Sequence, residues 1–336
     1  CNNTVCAQFT LTVNPLPNGS INGSNTVCYG TDTVVTFNFA VGTAPFTVIY
    51  TDGNSVYTKS NVNDGDTIRV LPLTTTTYSI QQISDANGCI RTTGFLGAAT
   101  VTVAPLPVVS NILEQDVLCF GGYTGAINVT GANGTPTYTY SYDNGVTYQS
   151  SNVFSGLNAG TYQIIIQDAL ACKSTPAYSV IVGQPALLTD TAIAQNASCA
   201  NVFDGKITVN AAGGITPYSY SINGGPSQPG NVFTGLAAGT YTVLVTDHNA
   251  CTSTSTVTLD TAYAVYASLI SQTPVSCFGG VDGTVTVQLT GGVPPYEYSI
   301  NGVQFVPTST FTGLAAGNYV VTLRDSKGCT DFVNLT

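Results

Sequence analysis

Ten cysteines, one histidine and a scatter of Asp-Gly pairs are the residues of this 336-residue chain whose type and spacing could do chemistry. Eight cysteines fall as Cys28/Cys89, Cys119/Cys172, Cys199/Cys251 and Cys277/Cys329, separated by 61, 53, 52 and 52 residues, with Cys1 and Cys6 left over. Zinc sites need close CxxC-type clusters with histidine, and His248 is the only histidine. Regular, widely spaced pairs instead predict disulfides and an oxidising, extracellular setting. The expected pairing is within each module, first cysteine to last. Closing a 52-residue loop in this way is worth about 4 kcal/mol in the chain-entropy account. It would also keep the enclosed segment from extending under tension.

Catalysis has little to stand on. His248 falls in a turn where sister segments carry Leu170 and Ser326, whereas a catalytic base must be held and oriented by packing. No enzyme activity is expected. Calcium is the stronger candidate, through Asp64 and Asp66 in NVNDGD and through Asp204 and Asp282 in Asp-Gly pairs. Calcium requires six or more converging oxygens, and Asp-Gly is also ordinary turn chemistry. The expectation is no metal and no cofactor.

The elements that must position these residues repeat. NVFTGLAAGTYTVLVTDHNAC, ending at Cys251, has near-copies ending at Cys172 and Cys329, at steps of 79 and 78 residues. That period is one small domain per copy. Within each copy a run such as Tyr241, Val243, Val245 alternates with the period of a half-buried strand. The strand ends at Asp247, and a short turn leads to a second run from Cys251 to Leu259, which predicts a hairpin. Leu236, Gly239 and Tyr241 put a tyrosine where an immunoglobulin-like sandwich pins its E–F corner. Tyr162 and Tyr319 share that spacing. Asn-Gly pairs at Asn144, Asn223 and Asn301 are strong hairpin signals, because both turn residues need positive φ.

Composition sets the surroundings. Hydrophobic residues make up 43% of the chain and charged residues only 7%, against about 25% in an ordinary domain. Thr, Ser, Asn and Gly must therefore cover the surface, a composition suited to strands. A net charge of −10 with seven Lys and Arg excludes the basic face that nucleic acid needs and disfavours anionic membranes. No apolar run of about 18 residues occurs. The chain opens on Cys1 without a signal peptide and reads as an internal piece of a mature polypeptide.

In order, residues 1–17 are expected to be the C-terminal strand of a preceding domain, because FTLTVNPLP (Phe9 to Pro17) repeats as ATVTVAPLP (Ala99 to Pro107). Residues 18–107 form an immunoglobulin-like domain, with PLTTTTY in place of the GLAAG corner. Residues 108–185, 186–263 and 264–336 are three copies of one module. The expected fold class is thus all-β, a tandem array of immunoglobulin-like β-sandwich modules with one disulfide each.

CFGGxDGT, GGxPPYxYSING, FTGLAAGxY and a terminal DxxGC, in that order over residues 108–336, resemble the SprB repeat of giant gliding-motility adhesins of Bacteroidota. Residues 18–107 resemble the immunoglobulin-like and PKD-like domains that accompany it. The departures are Ala200-Asn201 for Phe-Gly and Thr124 for Asp. The resemblance implies a long cell-surface protein, exported by type IX secretion, that forms filaments and adheres to a surface or glycan. Its partners would be that target and the outer-membrane export and motility machinery, engaged through regions outside this stretch, with no membrane insertion here. A separate pattern, Asp-Thr-aliphatic at Thr33, Thr67, Thr191 and Thr261, resembles the sequence at which Bacteroidota attach O-glycans, and at least Thr191 or Thr261 is expected to carry one. Two other readings are an array that binds polysaccharide through its Tyr-x-Tyr-Ser strands, and a spacer in a secreted multidomain enzyme.

Overall fold

A computed structural model describes residues 10–199, 202–260 and 264–336, and every regular element in them is a β-strand. The chain divides into two compact units. One runs to Asp116 and resumes over Gly125–Gly183; the other combines Val117–Thr124 with Gln184–Thr336.

The first unit opens with a two-sheet sandwich. Strand Thr33–Val41 lies between Asn18–Asn22 and Thr67–Val70 in one sheet. The facing sheet runs Asn25–Cys28, Ala98–Ala104, Thr76–Ser84, Phe46–Thr51, Val56–Val62, and its first pair is parallel. Alternation along Thr33–Val41 sends Val35 and Phe37 into the core, where they meet Ile21, Val48, Ile80 and Val101. Ahead of this sandwich, residues 10–17 form no strand, and Leu11 and Val13 are exposed. Residues 1–9 of that expected strand lie outside the described residues.

Each repeat is a six-stranded version of the same sandwich. In the second repeat, Gly205–Ala212 lies between Thr189–Gln195 and Val232–Leu236, and Gly239–Thr246 lies between Ser219–Ile222 and Thr252–Leu259. The first repeat arranges Val108–Gln115, Gly125–Ala132 and Val153–Leu157 against Thr139–Ser141, Gly160–Gln167 and Tyr178–Val182 in the same order. The third does so with Val265–Thr273, Gly283–Gly291 and Thr310–Leu314 against Glu297–Ser299, Tyr319–Arg324 and Thr330–Leu335. Ile207, Val209, Tyr220, Val243, Val245 and Leu259 fill the second repeat's core. Their alternation is what a half-buried strand needs to bury one face.

A backbone close approach fixes one glycine in this packing. A Cβ on Gly205 would stand 2.4 Å from Leu259 Cδ2 and 2.8 Å from the Leu236 carbonyl. The glycine of this Asp-Gly pair thus serves sandwich packing, with no positive φ involved. The hairpin turns also divide. Asn144 and Asn223 take φ of 60° and 50°, whereas Asn301 is not in the left-handed region and its Oδ1 accepts from Val303 N and Gln304 N, both at 3.0 Å. The side chain there makes the turn that positive φ makes elsewhere.

Candidate functional site: the cysteine loops and turns

Each module carries two cysteine-bearing structures, a loop near its start and a turn near its end. The turn is built on a buried aspartate. In the second repeat, Asp247 Oδ1 accepts from Asn249 N at 2.9 Å and Cys251 N at 2.8 Å, and Oδ2 accepts from Ile215 N at 2.9 Å. Asp168 binds Leu170 N, Cys172 N and Thr135 N in the same way, and Asp325 binds Lys327 N, Cys329 N and Val293 N. Asp85 repeats the bracket in the first sandwich with Asn87 N, Cys89 N and Thr43 N. Each carboxylate therefore fixes its cysteine's backbone and ties the turn to the neighbouring loop. Burial raises the pKa of Asp325, but the hydrogen bonds from Val293, Cys329, Lys327 and Gly328 outweigh it and the net shift is downward.

The loop is capped at its start. Ser198 N donates to Asp204 Oδ1 at 2.8 Å, Ser276 N to Asp282 Oδ1 at 3.0 Å, and Leu118 N to Thr124 Oγ1 at 2.7 Å. Thr124 thus accepts the same bond as its aspartate counterparts. Hydrogen bonds from the Ser198 side chain and backbone lower the pKa of Asp204, as those from Ser276 lower that of Asp282. A tight turn follows Cys28, Cys119 and Cys277, closed by Thr31 N, Gly122 N or Gly280 N donating to the carbonyl of Cys28, Cys119 or Cys277.

The disulfides overturn the expected pairing within modules. Cys28 is bonded to Cys172, Cys119 to Cys251 and Cys199 to Cys329, with Cα–Cα distances of 5.5, 5.6 and 5.4 Å. In every case the loop of one module joins the turn of the next. Cys89 and Cys277 have no disulfide partner among the described residues, so the expected Cys28/Cys89, Cys119/Cys172, Cys199/Cys251 and Cys277/Cys329 pairs are all absent. Strand length is the reason. Gly205, just after the Cys199 loop, packs on Leu259, and Leu259 pairs with Gly239 at the start of Gly239–Thr246. Cys251 follows the far end of that strand. Eight residues of strand span about 25 Å, and a disulfide tolerates a Cα separation of only about 7 Å. Cys1 and Cys6 lie outside the described residues.

Further contacts seat the turns. Asn249 Nδ2 donates to the Leu118 carbonyl at 2.9 Å, and Gly121 N donates to Gln184 Oε1 at 2.8 Å, both beside Cys119–Cys251. Cys329 Sγ lies 3.2 Å from the carbonyl of Ser198, the residue that corresponds to Leu118.

The tyrosines of the repeated stretch span the corner between Val232–Leu236 and Gly239–Thr246 and its counterparts. Tyr162 Oη donates to the Asn158 carbonyl at 2.9 Å, Tyr241 to Ala237 at 2.9 Å and Tyr319 to Ala315 at 3.1 Å. The Tyr-x-Tyr-Ser strands turn inward. Tyr140, Tyr220 and Tyr298 are buried, and Tyr138, Tyr218 and Tyr296 are half-buried with hydroxyls bound to Asn133, Gly213 and Gly291 carbonyls.

The remaining candidates are scattered. His248 is exposed in its turn. Asp64 Oδ1 accepts from Phe39 N and Asp66 Oδ2 from Asn63 N, and no three metal-ligating side chains converge among the described residues. Thr33 is half-buried and its hydroxyl accepts from Asn25 Nδ2. Thr67 and Thr191 are exposed on strands, and Thr261 lies outside the described residues. Sequence reasoning missed Asp85, Asp168, Asp247 and Asp325 as brackets, although their fixed place four residues before each turn cysteine was visible.

These features define a class: tandem immunoglobulin-like sandwiches joined by disulfides from loop to following turn. Residues 115–147, 191–227 and 269–305 match the SprB repeat family model, so these three segments are similar to SprB repeats. No curated protein sequence matches the chain. Among solved structures, invasin, a bacterial integrin-binding protein, aligns at 13% identity over 96% of this chain and 79% of its own, with a TM-score of 0.36. The N-terminal eight Ig domains of Down Syndrome Cell Adhesion Molecule align at 12% over 95% of this chain, with a TM-score of 0.31. This chain spans about half, 49%, of that structure. A C-terminal intimin fragment aligns at 13% over 48% of this chain and 66% of its own, with a TM-score of 0.29.

Proposed function

We propose that this chain is a stalk segment of a secreted cell-surface adhesin that transmits tension, with no catalytic role. The staggered disulfides carry the reading. With all three bonds intact, the shortest covalent route from Cys28 to Cys329 passes through Cys172, Cys199 and the 26 residues between them. That stretch already contains the extended strands Tyr178–Val182 and Thr189–Gln195. Its contour is about 90–100 Å, whereas the 301 residues from Cys28 to Cys329 would reach about 1,000 Å once reduced. Such a covalent bypass suits a filament that transmits tension and has no evident use in an enzyme spacer.

The SprB-repeat matches support placement at a cell surface; export by type IX secretion and a part in gliding motility are further parts of our proposal, taken from the sequence resemblance. Exposed Thr67 and Thr191 are the positions we assign to O-glycans, which would add bulk to a charge-poor surface. An intact mass equal to the bare polypeptide removes that assignment.

Single-molecule pulling on the 336-residue chain tests the mechanical reading. Oxidised protein should show no unfolding step longer than about 100 Å between Cys28 and Cys329, and reduced protein should show module-sized steps of roughly 250 Å. Equal extensions in both states would overturn it.

A further inference from the structure

We propose that the Cys277 loop is a socket for the Asp-x-x-x-Cys turn of one further repeat module, and that Cys277 forms a disulfide with that turn's cysteine. The proposal rests on the disulfide pattern and on the geometry of the Cys277 loop, and stands apart from the assignment to a cell surface. Every loop of this type with a described downstream turn holds that turn: Cys28 holds Cys172, Cys119 holds Cys251 and Cys199 holds Cys329. The Cys277 loop has the same construction, with Asp282 capping Ser276 N and Gly280 N closing the turn on the Cys277 carbonyl.

Its surface is the uncovered form of an occupied socket. Phe278, next to Cys277, is fully exposed, whereas the corresponding Phe120 beside the bonded Cys119 is 51% exposed. Val275, Cys277, Phe278, Gly280, Ala315 and Ala316 line an open groove beside the thiol. The Ser276 carbonyl stands where Leu118 accepts Asn249 Nδ2 in the occupied loop. An Asp-bracketed turn presents the matching parts: a cysteine held by its aspartate and, in the second repeat, an asparagine side chain two residues before it. Closing the bond joins two thiols as one disulfide and releases two protons and two electrons. A small disulfide such as oxidised glutathione accepts these and leaves as two thiols.

The test lengthens the 336-residue chain by a second copy of residues 258–336 after Thr336, folds it in a glutathione redox buffer, alkylates free thiols and maps disulfides without reduction. The expected map joins Cys277 to the last cysteine of the added copy and leaves that copy's first cysteine alkylated. A Cys277→Ser change in the lengthened chain should free that last cysteine and lower the melting temperature of the added copy. The same change in the 336-residue chain should leave its melting unchanged. An added copy that closes its own two cysteines, or Cys277 alkylated in the folded lengthened chain, would overturn the proposal.

Discussion

Cys119 is covalently joined to Cys251, 132 residues further on, across the boundary between one repeat and the next. The loop Val117–Thr124 that carries Cys119 groups with the second compact unit, as does Cys251. The bond closes a stretch of chain long enough that, taken alone, it removes about 5 kcal/mol of unfolded-state freedom.

Replacing Cys119 and Cys251 together by serine should therefore lower the chain's melting temperature while leaving Cys28–Cys172 and Cys199–Cys329 formed. Calorimetry with thiol counting checks this. An unchanged melt would mean that the bond contributes no stability.

The bracket at Asp247 holds three backbone N–H groups with two carboxylate oxygens. Asp247→Ala should cost about 2–3 kcal/mol, because buried donors lose their acceptor, and should reduce the yield of Cys119–Cys251. Denaturant melts and disulfide mapping on the same variant read both effects. Full stability with full bond yield would refute the bracket's role.

Removing the hydroxyl in Tyr241→Phe deletes one bond to the Ala237 carbonyl at the sandwich corner. The expected loss is about 1 kcal/mol, with the ring still packed. Gly205→Ala should cost more, about 1–3 kcal/mol, since its Cβ would overlap Leu259 and the Leu236 carbonyl. Reversal of that order in urea melts would contradict the packing described for this strand.

Acid should weaken the modules through their hydrogen-bonded carboxylates. The Thr147 hydroxyl and amide, with Ser141 and Val146, hold Asp143 down to about 2, and Asp204, Asp282 and Asp325 are also shifted below the ordinary value of 3.8. A carboxylate whose folded pKa is depressed contributes stability above its unfolded pKa and loses it as pH falls through the folded value. The melting temperature should hold from neutral pH to about 4 and fall between about 4 and 2. A melting temperature that is level or rising across that acid window would contradict the account.

Much of the fold was legible because strand periodicity is local. Alternation through Tyr241, Val243 and Val245, and the turn at Asp247, prescribe a hairpin without reference to anything distant. Disulfide connectivity is a relation between distant residues, and a repeat hides it. Advancing the partner by one period converts a separation of 52 or 53 into 130 or 132 with no change in local sequence. Only the strand between Gly239 and Thr246 decides, by keeping the two cysteines of one module at opposite ends. Thr124 was hard to read for another reason. It departs from the aspartate in the motif, yet its hydroxyl supplies the acceptor that the Leu118 amide needs.

Everything mechanical here depends on which cysteines are joined, so the most direct test is non-reducing peptide mapping of the oxidised 336-residue chain. The structure predicts cross-linked peptides containing Cys28 with Cys172, Cys119 with Cys251, and Cys199 with Cys329. Peptides joining Cys119 with Cys172 and Cys199 with Cys251 would contradict it, returning each bond to its own module and removing the covalent bypass.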